Sequence, residues 1–168
     1  MSQLPVIGMM IGDPAGIGPE VCVRAAASGE LSGLCRPVLI GDVGVVRRAA
    51  DVCGLSARFE PISDPAQVLP PGTIGVVDPG GFDVAGCTFG QASAASGDAV
   101  LGWMERGEAL GRQGSLQALV PEAEWAAREP ATISAAQHAA NQVGLGRDLF
   151  ANFRRHALSA EEGACTWL

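Results

Sequence analysis

The chain has 168 residues, 48% of them apolar and 17% charged, with a formal net charge of −7. That length suits one domain able to bury a core without disulfides or metals, and the apolar content argues against wholesale disorder. All eleven basic residues are arginine, and the pairs Arg47/Arg48 and Arg154/Arg155 form no basic stripe, which argues against a nucleic-acid partner.

No run reaches the roughly 18–20 apolar residues of a membrane span. The opening MSQLPVIGMMIGDPAG lacks a basic start and a cleavage site, so no signal peptide is expected. A cytoplasmic chain is expected. The five cysteines (Cys22, Cys35, Cys53, Cys87 and Cys165) show no CxxC spacing and are odd in number. They read as small apolar residues in a reducing compartment.

Pro5 to Ile11 (PVIGMMI) is a short apolar run ended by glycine and proline, the pattern of a buried parallel strand. Gly12 to Glu20 (GDPAGIGPE) is a turn, and Val21 to Ser28 reads as a helix with Pro19 and Glu20 in its first turn and Gly29 as its stop. Pro37 to Ile40 is a second strand. Asp42 is placed to cap a helix from Val43 to Cys53, on which Val43, Val46, Ala50 and Cys53 recur at helical spacing before Gly54.

Ala57 to Pro61 reads as a third strand, Ser63 to Gly72 as a loop, and Thr73 to Val77 as a strand ended by Asp78-Pro79-Gly80-Gly81. Gly90 to Gly111 is the longest helical segment, with Ala92, Ala95, Ala99, Trp103 and Met104 expected on one face. Gly97, Gly102 and Gly107 each cost about 1 kcal/mol against alanine, so tertiary contacts must hold this helix. Leu116 to Val120 is the next strand. Strands alternating with helices predict an α/β fold: a largely parallel sheet with flanking helices.

After Val120 the composition changes. Residues 121–168 are rich in Ala, Glu and Arg and hold both histidines, His138 and His156. The division expected is an α/β domain over 1–120 and a divergent tail over 121–168, poorly ordered or partly helical around 135–140 and 148–156. The two histidines lie 18 positions apart without a carboxylate pattern, which favours surface or packing roles over metal ligation.

The segment that points to chemistry is Gly12 to Glu20. Gly12, Gly16 and Gly18 permit positive φ and close approach of a ligand. The N–H groups opening the next helix favour an anionic or polar ligand. Asp13 and Glu20 argue against simple phosphate cradling, and neither GxGxxG nor GxxxxGK[ST] is present. A βα turn at the carboxyl end of a parallel strand is where open α/β sheets bind ligands. Gly12, Asp13, Gly16, Ile17 and Gly18 are therefore the candidate cofactor-binding loop. No catalytic or metal-ligating residue is assigned.

GDPAGIGPE resembles the opening signature of the 4-hydroxythreonine-4-phosphate dehydrogenase family. PVLIGD (Pro37 to Asp42), Gly90 to Leu110 and LQALV (Leu116 to Val120) resemble its following segments, so the likeness covers about residues 4–120. The resemblance implies the isocitrate/isopropylmalate dehydrogenase fold in truncated form. It implies a homodimer that oxidises and decarboxylates a small phosphorylated hydroxy acid, such as 4-phosphooxy-threonine in pyridoxal phosphate (pyridoxine) biosynthesis. It also implies NAD or NADP and a divalent metal (Zn, Mg or Co) held by three histidines, which would polarise the substrate alcohol.

The family's APxNK-like and GHTE-like segments have no counterpart after Val120. The chain has no lysine, and His138 and His156 stand in AQHAAN and RRHALS. Most metal- and phosphate-binding positions of the family would lie beyond residue 168. A fragment or a changed reading frame near residue 120 accounts for this, and the tail ending in CTWL suits the second. The chain is expected to be inactive alone. The competing readings are a non-catalytic remnant or interaction module of the same fold, and a sister dehydrogenase acting on D-threonate or D-erythronate phosphate or on an aromatic dihydrodiol.

Overall fold

The computed structural model describes residues 4–120. The expected divergent tail over 121–168, with His138, His156 and Cys165, lies outside the described residues.

Eight elements follow in the order β1 (Val6–Met10), α1 (Gly18–Ala27), β2 (Arg36–Ile40), α2 (Val43–Val52), β3 (Arg58–Pro61), β4 (Thr73–Val77), α3 (Ala94–Arg112) and β5 (Ala118–Val120). The strands form one sheet in the order β3-β4-β2-β1-β5, and every neighbouring pair is parallel. The expected α/β fold with a parallel sheet and flanking helices is what these residues adopt.

The order explains where the turns gather. The chain moves from β1 through α1 to β2, then outward through α2 to β3. It comes back by β4, and α3 carries it across to β5 on the far side of β1. Parallel crossovers are right-handed, so this reversal places α3 on the face opposite α1 and α2. All five strands run the same way. Their carboxyl ends, and the turns that leave them, therefore share one edge of the sheet.

The core is the apolar residues of the strands together with one stripe of each helix. Ile11, Val23, Leu39, Ile40, Val46 and Val76 are fully buried. Near-continuous apolar strands such as Val38 to Ile40 are what a sheet covered on both faces requires. On α3 the buried residues are Ser96, Ala99, Trp103, Gly107, Leu110 and Gly111.

Four local readings differ from the sequence expectation. Helix α1 starts at Gly18 rather than Val21, because Pro19 already has the φ of a first helical turn. Helix α3 starts at Ala94 rather than Gly90. Gly90 takes φ 73°, and Ser93 caps the helix in a reciprocal box with Ser96. Ala92 and Ala95 are accordingly exposed and off the packing face. Strand β5 begins at Ala118, and Leu116 is instead buried in the preceding loop.

Gly97, Gly102 and Gly107 of α3 serve different ends. A Cβ at Gly107 would lie 3.1 Å from both Leu119 methyls, and one at Gly102 would overlap the Phe82 ring, whereas Gly97 faces open space. Close packing explains the first two; nothing in the structure explains Gly97.

Candidate functional site

Strand β1 ends at Met10, and Ile11 continues the ladder by donating its N–H to the Ile40 carbonyl at 3.2 Å. Gly12 then takes φ 70°, a left-handed conformation that turns the chain out of the sheet. Asp13, only 6% exposed, ties the turn to itself. Its Oδ1 accepts from the Ala15 N–H at 2.8 Å, and its carbonyl accepts from the Gly16 N–H at 2.9 Å. This is an aspartate side-chain turn combined with a β-turn.

Gly16 and Gly18 do not use positive φ, contrary to the sequence expectation. A Cβ at Gly16 would instead crowd the turn, 3.3 Å from the Asp13 Cβ. Ile17 is the N-cap of α1 and supplies no side-chain cap. The first-turn N–H groups of α1 thus have no capping side chain among the described residues, and Pro19 has no N–H to leave unpaired. Gly12, Asp13 and Gly18 are buried, Gly16 is half-buried, and the Ile17 side chain is 57% exposed.

The next two carboxyl-end turns pack alongside. Gly41 follows β2 with φ 156° and donates its N–H to the Val77 carbonyl at 3.0 Å. Asp42 caps α2 as expected, its Oδ1 accepting from the Val45 N–H at 2.7 Å. After β4, Asp78 accepts from the Val43 N–H at 3.1 Å through Oδ2 and from the Gly80 N–H at 2.8 Å through Oδ1. Backbone N–H groups and carboxylates therefore tie the exits of β2 and β4 together.

Two groups reach the glycine turn from far along the chain. Arg48 of α2 donates from Nη2 to the Pro14 carbonyl at 2.8 Å, and its guanidinium carbon lies 4.6 Å from the centroid of the Phe89 ring. The Gly90 N–H donates to the Ala15 carbonyl at 2.8 Å. Sequence reading did not single out Arg48 or Phe89, since neither belongs to a local motif. Glu20, in the first turn of α1, buries its Oε2 without a hydrogen-bond partner among the described residues.

What the edge can do follows from its groups. It carries the start of α1, about half a positive charge in effect, beside the largely buried carboxylates of Asp13 and Glu20. Donors and acceptors side by side suit a polar ligand with both hydroxyl and anionic groups better than a bare phosphate. Two shallow depressions lie elsewhere. One of about 120 Å³ is lined by Arg36, Ile62, Val68 and Thr73. The other, of about 320 Å³, is lined by Arg47, Asp51, Arg58 and Glu60.

Among the described residues no group of three His, Cys, Asp or Glu side chains could hold a metal ion. Cys22 is buried, while Cys35, Cys53 and Cys87 are half-buried, all four as free thiols. Burial pushes the Cys35 thiol above its ordinary value, which keeps it protonated and a poor nucleophile. No helix among the described residues is long and apolar enough to cross a membrane.

No protein-family model matches the chain. A D-threonate 4-phosphate dehydrogenase of Cupriavidus necator is 38% identical over 117 residues, covering 69% of this chain and 35% of the relative. A protein of Novosphingobium aromaticivorans, provisionally named a 4-hydroxythreonine-4-phosphate dehydrogenase, is 42% identical over 123 residues, 69% of this chain and 36% of its own length.

Among solved structures, a 4-hydroxythreonine-4-phosphate dehydrogenase from Burkholderia phymatum superposes with TM-score 0.66 at 35% identity, covering 71% of this chain and 36% of that one. A terephthalate 1,2-cis-dihydrodiol dehydrogenase from Burkholderia xenovorans gives TM-score 0.51 at 34% identity, covering 68% and 32%. The chain thus spans about a third of the length of the relatives it matches.

Proposed function

We propose, on the premise that this chain corresponds to the amino-terminal portion of the 4-hydroxythreonine-4-phosphate and D-threonate 4-phosphate dehydrogenases, that it supplies the ligand-receiving edge of an oxidoreductase acting on a small phosphorylated hydroxy acid. The observation that carries this reading is the place of the Gly12–Gly18 turn. It leaves the carboxyl end of β1, on the edge where all five strands of the parallel sheet end. Open α/β sheets bind ligands at that position.

The division of work follows from the groups present. The uncapped N–H groups at the start of α1 would hold an anionic or polar portion of NAD or NADP, or of the substrate. Asp13, fixed by its bond to the Ala15 N–H, would accept from a ligand hydroxyl. The nicotinamide cofactor, when bound, supplies the hydride acceptor for alcohol oxidation. The substrate would be 4-phosphooxy-threonine, on the route to pyridoxal phosphate, or D-threonate 4-phosphate. The working protein would be a cytoplasmic homodimer. The described residues offer no donor set for the zinc, magnesium or cobalt ion that the resemblance implied, so no step is assigned to a metal in this part of the chain.

A second reading, oxidation of an aromatic cis-dihydrodiol, has the likeness to the terephthalate dihydrodiol enzyme in its favour. The purified chain separates these. Binding of NAD⁺, NADP⁺, D-threonate 4-phosphate and a cis-dihydrodiol is measured calorimetrically, and turnover is followed by formation of reduced nicotinamide with Zn²⁺, Mg²⁺ or Co²⁺ present. The expected result is binding of a nicotinamide cofactor or the phosphorylated acid without turnover, since the chain has no lysine and no GHTE-type histidine. Turnover by the chain alone would refute the expected inactivity. Failure to bind any of the four would leave a non-catalytic module of the same fold.

A further inference from the structure

We infer that Arg48 is a positioning residue that sets the direction of the Asp13 carboxylate through the backbone of the glycine turn. This rests on the reading of Gly12–Gly18 as the ligand-receiving loop.

Two carbonyls in the middle of the turn are held from outside it. The Pro14 carbonyl accepts from Arg48 Nη2 at 2.8 Å, and the Ala15 carbonyl accepts from the Gly90 N–H at 2.8 Å. A peptide unit is planar, so fixing a carbonyl also fixes the N–H of the next residue. Holding the Pro14 carbonyl aims the Ala15 N–H, and that N–H is the donor to Asp13 Oδ1 at 2.8 Å. Holding the Ala15 carbonyl aims the Gly16 N–H, the donor to the Asp13 carbonyl at 2.9 Å. Both external bonds thus converge on one residue, Asp13.

The two external groups are themselves joined. The Arg48 guanidinium stacks on Phe89, the residue just before Gly90, with 4.6 Å to the ring centroid. Pro14, Arg48, Phe89, Gly90 and Ala15 close a ring of contacts whose members come from three distant stretches of sequence. Arginine suits the place for a stated reason. Its planar guanidinium can stack on a ring with its face while donating from its edge, and an ammonium cannot. Phe89 is 50% exposed, so a core-packing role does not explain its position.

Site-resolved amide hydrogen exchange and NAD⁺ titration of the full chain test this with Arg48→Ala, Arg48→Lys and Phe89→Leu, and with Arg47→Ala as control. Arg47 bonds the Phe59 carbonyl on the outer side of α2. Arg48→Ala is expected to speed exchange at Ala15 and Gly16 by about tenfold, roughly one hydrogen bond, leaving β1 and β2 amides unchanged. It is expected to weaken NAD⁺ by a similar factor.

Arg48→Lys, which keeps the charge and a donor but loses the stack, should restore part of both effects, and Arg47→Ala should produce neither. Unchanged exchange at Ala15 and Gly16, or acceleration spread evenly over the chain, overturns the proposal. Should Arg48→Ala fail to fold, Phe89→Leu decides: faster exchange confined to the turn supports the clamp, and none overturns it. An unsubstituted chain that does not bind NAD⁺ or D-threonate 4-phosphate overturns the ligand reading, while the exchange data judge the clamp separately.

Discussion

Replacing Trp103 by alanine is expected to lower the stability of the fold by about 3–5 kcal/mol, read from urea unfolding of the purified chain. Trp103 is 1% exposed and heads the fully buried side chains by size. It sits midway along α3, on the face that also carries Ala99, Gly107 and Leu110. The small neighbours admit the helix close to the sheet and cannot refill the space the indole leaves. Domain stabilities are about 5–15 kcal/mol, so the loss takes a large share of the total.

Trp103→Phe separates packing from polarity. The indole Nε1 has no hydrogen-bond partner among the described residues, so removing it forfeits none of their bonds. A ring keeps most of the volume, and a cost of about 1 kcal/mol is expected. A cost for Trp103→Ala below about 1 kcal/mol would show that α3 does not pack through this residue.

The second large effect is expected at Gly41. A Cβ there would lie 2.3 Å from Ile11 Cδ1 and 2.4 Å from its Cγ1. Ile11 is 0% exposed and so has no free volume to retreat into. Gly41 also takes φ 156°, which side chains with a Cβ rarely adopt. Overpacking of about 1–3 kcal/mol and backbone strain of similar size add, and Gly41→Ala should cost about 2–4 kcal/mol. Because Ile11 immediately precedes Gly12, the same change should disturb the glycine turn. Unchanged urea unfolding of Gly41→Ala would show that the β1 and β2 exits are not in close contact.

The legible part of the fold was its punctuation. Gly29 and Gly54 end helices with positive φ, Asp42 caps α2, and the apolar runs between such residues are strands, as local chemistry requires. The misreadings have local causes too. Counting Ala92 into the helix, and Ala95 onto its packing face, treated small residues as apolar evidence. Gly90 with φ 73° and the Ser93–Ser96 box start the helix four residues later.

The candidate site was legible only in its backbone. Gly12 at the end of β1 could be read from the glycine pattern and the strand before it. Its fastening could not. Arg48 is 34 positions from the carbonyl it holds, and its partner Phe89 is placed by the return of the chain toward α3. Contacts of that kind depend on the strand order, which local periodicity does not encode. The same holds for the crowding of Gly41 against Ile11, which exists only because β1 and β2 are neighbours.

A titration of the isotope-labelled chain with NAD⁺ and with D-threonate 4-phosphate, followed by amide chemical shifts, bears most directly on the role given to the turn between β1 and α1. Saturable shifts confined to Gly12, Asp13, Gly16, Ile17 and Gly18 and their immediate neighbours are the predicted result. Shifts that gather instead around Arg36 and Val68, or around Asp51 and Arg58, would contradict it, as would none at all.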